Sequence, residues 1–210
     1  GAQLTATDLD RLFKSFPDRI LGLAEMMNVP GVLKGDPEVM KKLETARGKV
    51  IDGHCPGLSG LELNAYILAG PSSDHESVGL EEAREKLRKG MHLMIREGSS
   101  EKNLKDLLPL IDACSAANIS LVTDDRHADD LLHLGHLDHT LRQAIAQGLD
   151  PLLAIRTATI STARYFGLKK RGAVAPGYQA DFLLLKDLAS MEIEEVYLKG
   201  NPLEELNFPS

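Results

Sequence analysis

The chain holds 210 residues with 43% hydrophobic and 26% charged side chains, a balance that excludes disorder and fits a folded globular protein. No run approaches the roughly 18 consecutive apolar residues of a membrane span, and the opening GAQLTATDLDRLF lacks the basic-then-apolar order of a signal peptide, so a cytoplasmic location is expected. Lys and Arg number 24 against 31 Asp and Glu, and the net charge of −7 argues against nucleic acid or membrane as a partner and for a small ligand.

Leu9, Leu12, Phe13 and Phe16 fall at helical spacing and predict a helix from Thr7 to about Phe16 behind a threonine cap, halted by Pro17. The apolar run around Ile20 to Leu23, ending at Glu25 before Pro30 and Gly31, reads as a buried parallel strand. The same form then recurs. KVIDGH (49–54) is a strand ending in His54, and a helix from about Gly60 to Leu68 leads to AGPSSDHE, which ends near His75. The charged helix EEAREKLRKG leads to MHLMIREGS, ending in Arg96 and Glu97, and a helix from about Asn103 to Ala117 leads to ISLVTDD, ending in Asp124 and Asp125. Five strand-like runs thus start roughly 20 to 30 residues apart, the length of one βα unit. Helices from about Leu134 to Gln147 and from Pro151 to Phe166 follow. Beyond Gly167 short β runs are divided by Pro-Gly and Lys-Gly-Asn turns, which places a boundary there and predicts a small β element.

Glu25, His54, His75, Arg96 with Glu97, and Asp124 with Asp125 all sit at the C-terminal ends of successive expected strands. In a parallel α/β barrel those ends converge on one mouth, so side chains 100 residues apart in sequence meet there. Two imidazoles and two carboxylates form a nitrogen and oxygen set suited to Zn, Fe or Mn, which activates water near neutral pH. Singly, each residue has a simpler reading: a hydrogen-bonded loop histidine, or a helix cap for Glu25 and Asp124. The joint pattern carries the argument. His133, His136 and His139 fan out around a helix interrupted by Gly135, whereas His127 lies just beyond Asp124. Cys55 and Cys114 are too few for a disulfide framework, and Cys55 reads as a small packed thiol. EEAREKLRK reads as a solvated helix face with Glu81–Arg84 and Glu82–Lys86 pairs.

The segments ILGLAEMMNVPGVL, VIDGHCPGLSG, LNAYILAGPSSDHE, MHLMIREGSS, LVTDDRHADDLL, GHLDHTLRQAI and GAVAPGYQADFLLL, in this order, resemble the bacterial and archaeal adenine deaminases of the amidohydrolase superfamily. The resemblance runs from about residue 15 to 200. It implies an α/β fold, a metal-bearing (β/α)8 TIM barrel with a small β-sandwich, and hydrolysis of adenine to hypoxanthine and ammonia. It implies metal ligation by Glu25, His54, His75 and Asp124, with Fe2+ or Mn2+ favoured and Zn2+ as an alternative. By the same resemblance Asp124 shuttles protons; from position alone, Glu97 or Glu76 is expected to protonate the ring nitrogen and Arg96 and His127 to face substrate. The sequence lacks the His-x-His pair of the first barrel strand and shows about strands 4 to 8. It is therefore expected to be the C-terminal portion of such an enzyme, with residues 1–166 a partial hydrolase barrel and 167–210 a piece of the sandwich. A homo-oligomer is expected. Two other readings stand beside this one: an amidohydrolase acting on another purine or a cyclic amide, and a catalytically inactive fragment.

Overall fold

The computed structural model describes residues 3–205, so residues 206–210 of the expected β element lie outside the described part. The chain divides into two compact units, one ending at Met94 and the other beginning at Ile95. The change of sequence texture at 167 falls inside the second.

In the first unit, α1 (Ala6–Ser15) is started by Thr5 rather than Thr7. The Thr5 hydroxyl accepts the Asp8 N–H at 3.2 Å while the Asp8 carboxylate accepts the Thr5 N–H at 3.0 Å, a reciprocal cap that satisfies two otherwise unpaired donors. β1 (Gly22–Met26) runs parallel to β2 (Val50–Gly53), with Gly22 opposite Val50 and Leu23 opposite Ile51. The register then slips, so that Met26 faces Gly53. Between these strands lie α2 (Val29–Lys34), capped by Asn28, and α3 (Pro37–Thr45), capped by Asp36 with a proline in its first turn. α4 (Gly60–Leu68) matches the expected helix at both ends and precedes β3 (Ser73–Asp74). α5 (Leu80–Arg88) precedes β4 (His92–Arg96). The Ser72 N–H donates to Ile51 O at 2.8 Å, linking the approach to β3 with β2, and β3 pairs parallel to β4 with Ser73 opposite His92. Leu9, Phe13, Val39, Leu43, Ile51, Leu63 and Tyr66 belong to one apolar core in which the Tyr66 ring is fully buried. Gly53 is required by close approach: a Cβ there would stand 2.3 Å from Ser73 O, so a side chain would push β2 off β3 just before His54 and His75.

His92 is only 5% exposed, and burial pushes its imidazole down to about 4 despite the attraction of Asp52. Its folded pKa lies below its unfolded one. The unfolded chain therefore takes up a proton between about pH 6.5 and 4 that the folded chain excludes, and stability falls as the pH falls through that window. The loss is expected to reach about 3 kcal/mol at pH 4. Urea titrations at pH 7 and pH 4 should show a smaller loss for His92→Gln than for the unaltered chain; equal losses would remove His92 as the cause.

In the second unit, β5 (Ile119–Val122) follows the end of β4, and the Glu97 N–H donates to Val122 O at 3.1 Å. The single helix expected over 103–117 is instead α6 (Leu104–Leu107) and two 3-10 turns, Leu108–Leu110 and Ser115–Asn118. Pro109 has no N–H for a helical ladder, and the Asp112 carboxylate accepts the N–H groups of Cys114 at 2.7 Å and Ser115 at 2.8 Å, which starts a new turn. α7 (Ala128–His133) ends at Gly135, whose φ of 103° breaks the helical path, and α8 (Leu137–Ala146) begins beyond it. Where one helix was expected over 151–166 there are two, α9 (Pro151–Ala158) and α10 (Ile160–Tyr165). The backbone of Gly172 lies against their joint, where a Cβ would meet Ile160 Cα at 2.8 Å, and the Thr162 hydroxyl takes over the Thr157 carbonyl at 2.9 Å. α10 is bound toward β5 through Ser161 to Ala116 O at 2.6 Å and Thr162 to Ser120 at 2.8 Å. β6 (Phe182–Asp187), β7 (Glu192–Leu198) and β8 (Asn201–Pro202) form an antiparallel sheet in which the Phe182 and Tyr197 rings stack at 4.5 Å. Among the described residues no helix is long and apolar enough to cross a membrane.

Candidate metal centre

Three strand ends of the first unit bring Glu25, His54 and His75 together. His54 Nδ1 lies 3.9 Å from Glu25 Oε2, and His75 Nε2 lies 4.0 Å from Glu25 Oε1. Glu76 joins them, with Oε1 3.6 Å from His54 Nδ1 and 3.5 Å from His75 Nε2. The two imidazoles meet edge to face at 5.3 Å. One ligand atom each from Glu25, His54 and His75 can be chosen so that all lie within 4.8 Å of one another. Atoms bound about 2.1 Å from one ion stand about 3 to 4 Å apart, so this donor set fits a divalent cation with little adjustment. His54 Nδ1 adds an independent sign: it is buried and has no hydrogen-bond partner, which is costly for an imidazole nitrogen unless an ion takes that place.

The backbone is shaped for this arrangement. Glu25 adopts φ 45° inside β1, at the point where the register with β2 slips, which turns its carboxylate out of the regular strand alternation. The Tyr66 hydroxyl, from α4, donates to Met26 O at 2.5 Å and accepts the His54 N–H at 3.2 Å, so one buried group fixes the ends of β1 and β2 together. His75 is oriented from behind by Asp52, whose Oδ2 lies 3.4 Å from Nδ1 while Oδ1 accepts the Ser73 hydroxyl at 2.5 Å. A carboxylate behind an imidazole in this way turns the other ring nitrogen toward a ligand.

Beneath the histidines Asp74 and Lys86 form an ion pair at 2.9 Å, both side chains fully buried. Burial alone would raise the Asp74 carboxyl, but the Lys86 charge, the Cys55 N–H and the Ser77 hydroxyl outweigh it and hold it below the usual carboxylate range. Burial likewise pulls Lys86 down, and Asp74 and Glu82 more than restore it, leaving it above the usual lysine value. Cys55 is buried and its thiol is pushed up by desolvation and by Asp74, so it is a packed thiol rather than a thiolate ligand.

The second unit holds the remaining expected site residues. Asp124, with φ 55°, pairs with Arg96, and its Oδ1 accepts the Asp125 N–H at 2.8 Å. Arg96 also reaches Glu101 at 3.6 Å, and Glu97 reaches Lys102 at 3.2 Å. His127 is exposed at the start of α7, its N–H donating to the Ser99 hydroxyl at 2.8 Å. His133 turns to Asp129 and His136 to Thr123, so the histidines of this stretch go separate ways.

Sequence reasoning missed Asp52, Tyr66, Asp74 and Lys86. Asp52 was readable, because residues i and i+2 of a strand share a face and Asp52 stands two before His54. Lys86 was not readable in this way, because it lies in a run of charges and only the packing of α5 puts it, with Ala83, on the buried face. Both expected pairs of that helix exist, Glu81 with Arg84 and Glu82 with Lys86, but Lys86 is fully buried rather than solvated.

A sequence model described as the amidohydrolase family matches residues 6–203. An adenine deaminase of Oleidesulfovibrio alaskensis is 56% identical over 209 residues, and one of Methanoregula boonei is 51% identical over 211; these alignments take in 99% and 100% of this chain. The chain spans 37% of the length of each. Among solved structures, N-acetyl-D-glucosamine-6-phosphate deacetylase from Mycobacterium smegmatis superposes with a TM-score of 0.71 at 18% identity, covering 96% of this chain and 60% of that one, a likeness of fold. The family match runs along nearly the whole length and the fold agrees with it, and this chain belongs to the amidohydrolase family.

Proposed function

We propose that this chain supplies part of a metal-dependent active site that hydrolyses adenine to hypoxanthine and ammonia. The observation that carries the reading is 56% identity, over 99% of the chain, to a relative named adenine deaminase. In this reading residues 1–166 are about strands 4 to 8 of a (β/α)8 barrel and 167–210 belong to a small β-sandwich. The parallel units of β1 to β4 support the first part, and the antiparallel β6 to β8 sheet, with Leu183, Leu184 and Ile193 exposed, supports the second. Glu25, His54, His75 and Asp124 hold the metal, Fe2+ or Mn2+ before Zn2+. Such an ion, when bound, makes water acidic enough to react near neutral pH.

The chain's own residues do the rest. Asp124 takes the proton of the water that adds to C6 and delivers it to the departing amino group. Its pairing with Arg96 supports the role by fixing where the carboxylate points. Glu76 or Glu97 donates to the ring nitrogen as C6 becomes tetrahedral, and Arg96 and His127 contact the purine. The net charge of −7 supports a protein without nucleic-acid or membrane partners, and the reading is completed by a cytosolic homo-oligomer.

The test is a graft of this chain in place of the corresponding segment of the O. alaskensis adenine deaminase. The graft is expected to release hypoxanthine and ammonia from adenine, and Asp124→Asn within it to lose roughly 10² to 10⁴ in turnover. A folded, metal-loaded graft that ignores adenine, or that prefers another purine or a cyclic amide, would reject the reading.

A further inference from the structure

His54 and His75 follow the ends of β2 and β3, where the regular strand ladder stops. What joins them beyond that point is a buried polar knot. Asp74, the residue before His75, accepts the N–H of Cys55, the residue after His54, at 2.8 Å through Oδ1, with Cys55 Sγ at 3.4 Å. Its Oδ2 accepts the Ser77 hydroxyl at 2.7 Å and Lys86 Nζ at 2.9 Å. Lys86 Nζ in turn donates to Cys55 O at 2.7 Å and reaches Glu82 at 2.6 Å. The peptide groups on both sides of Cys55 are therefore gripped, one through its N–H by the aspartate and the other through its C=O by the lysine. A fully buried ion pair is a poor source of net stability, since well-packed apolar residues of similar volume often serve as well. Its use here is geometric.

We propose that the Asp74–Lys86 pair is a positioning device that sets the separation of His54 and His75 for metal binding. The proposal rests on the metal-centre reading, and its test separates the two. Co2+ is titrated into the 210-residue chain and followed by its visible absorption, with folding checked by circular dichroism. The double variant D74N/K86M removes both charges but keeps an acceptor for the Cys55 N–H, whereas D74L/K86M removes the acceptor as well; neither leaves residue 74 or 86 as a buried charge, and Glu82 loses its lysine in both while keeping the Gly57 N–H. Affinity for Co2+ is expected to fall by about threefold for D74N/K86M, which keeps the hold on the Cys55 N–H and loses the lysine's hold on Cys55 O. It is expected to fall about tenfold or more for D74L/K86M, with an altered spectrum, in the range seen when groups supporting metal ligands are lost. A folded D74L/K86M with the affinity and spectrum of the unaltered chain overturns the proposal.

Amide exchange decides the matter if D74L/K86M does not fold. By reciprocity, a clamp that favours metal must itself be tightened by metal, so Co2+ should slow exchange of the Cys55 amide more than that of Leu9 in α1. Equal slowing of the two amides overturns the proposal. Failure of the unaltered chain to bind Co2+ overturns both the clamp and the metal-centre reading.

Discussion

His54→Ala is expected to reduce the affinity of the chain for Mn2+ by on the order of a hundredfold or more, at or beyond the upper end of what loss of a supporting group costs. The stability of the metal-free chain should change little. The asymmetry follows from position. His54 Nδ1 makes no hydrogen bond, so truncating the ring removes a ligand without breaking one there. Its neighbours are carboxylates, Glu25 at 3.9 Å and Glu76 at 3.6 Å, and the variant leaves them closer to solvent. Calorimetric titration with Mn2+, alongside a urea melt of the metal-free protein, measures both halves. Unchanged Mn2+ affinity would mean that the imidazole is not a ligand, and the cluster would then be an ordinary polar contact at a strand end.

Lys86→Met is expected to destabilise the chain by ~3–5 kcal/mol, because it leaves Asp74 charged, buried and without its partner. The sequence gives no hint of so large an effect for a lysine in a charged helix. The structure accounts for it: both side chains of the pair are fully buried. The signs of the shifts define where the pair contributes. Asp74 is held below its ordinary range, so its share is present above that range and is lost as the pH falls through the depressed value. Lys86 is held above its ordinary value, so its share is present below that value and is lost as the pH rises through the raised one. At pH 7 the full contribution is in place. Urea unfolding at that pH should show the loss for Lys86→Met and recovery of most of it in D74N/K86M. A Lys86→Met variant as stable as the unaltered chain would mean that Asp74 finds water or another donor when the lysine is gone.

Where strand and helix ends were marked by strong local chemistry, they were legible. Helix Gly60–Leu68, the strand before His54 and the strand before Arg96 all follow from apolar runs bounded by Gly, Pro or charge. The two long helices that proved broken fail for different reasons. Pro109 and Asp112 were visible signals whose effect on 103–117 was outweighed by an apolar pattern, whereas the break at Thr159 depends on Gly172, which reaches the joint only in the folded chain. The candidate site shows the same division. Glu25, His54 and Asp124 could be picked out because each follows an apolar run, and His75 because it follows a helix at the interval of the next βα unit. The groups that hold them, Tyr66 from the middle of a helix and Lys86 from a run of charges, carry no such mark. Their roles arise from packing between elements far apart in sequence.

The left-handed backbone at Glu25 and Asp124 sets stability against chemistry at two named positions. For residues other than glycine that conformation costs about 1–2 kcal/mol, and glycine relieves it. A selection of variants for heat resistance alone would therefore be drawn to Glu25→Gly and Asp124→Gly, and each gain would delete a carboxylate. Consensus design or directed evolution on this chain should hold both positions fixed, since improvement there would be bought with the very groups the strand ends are bent to present.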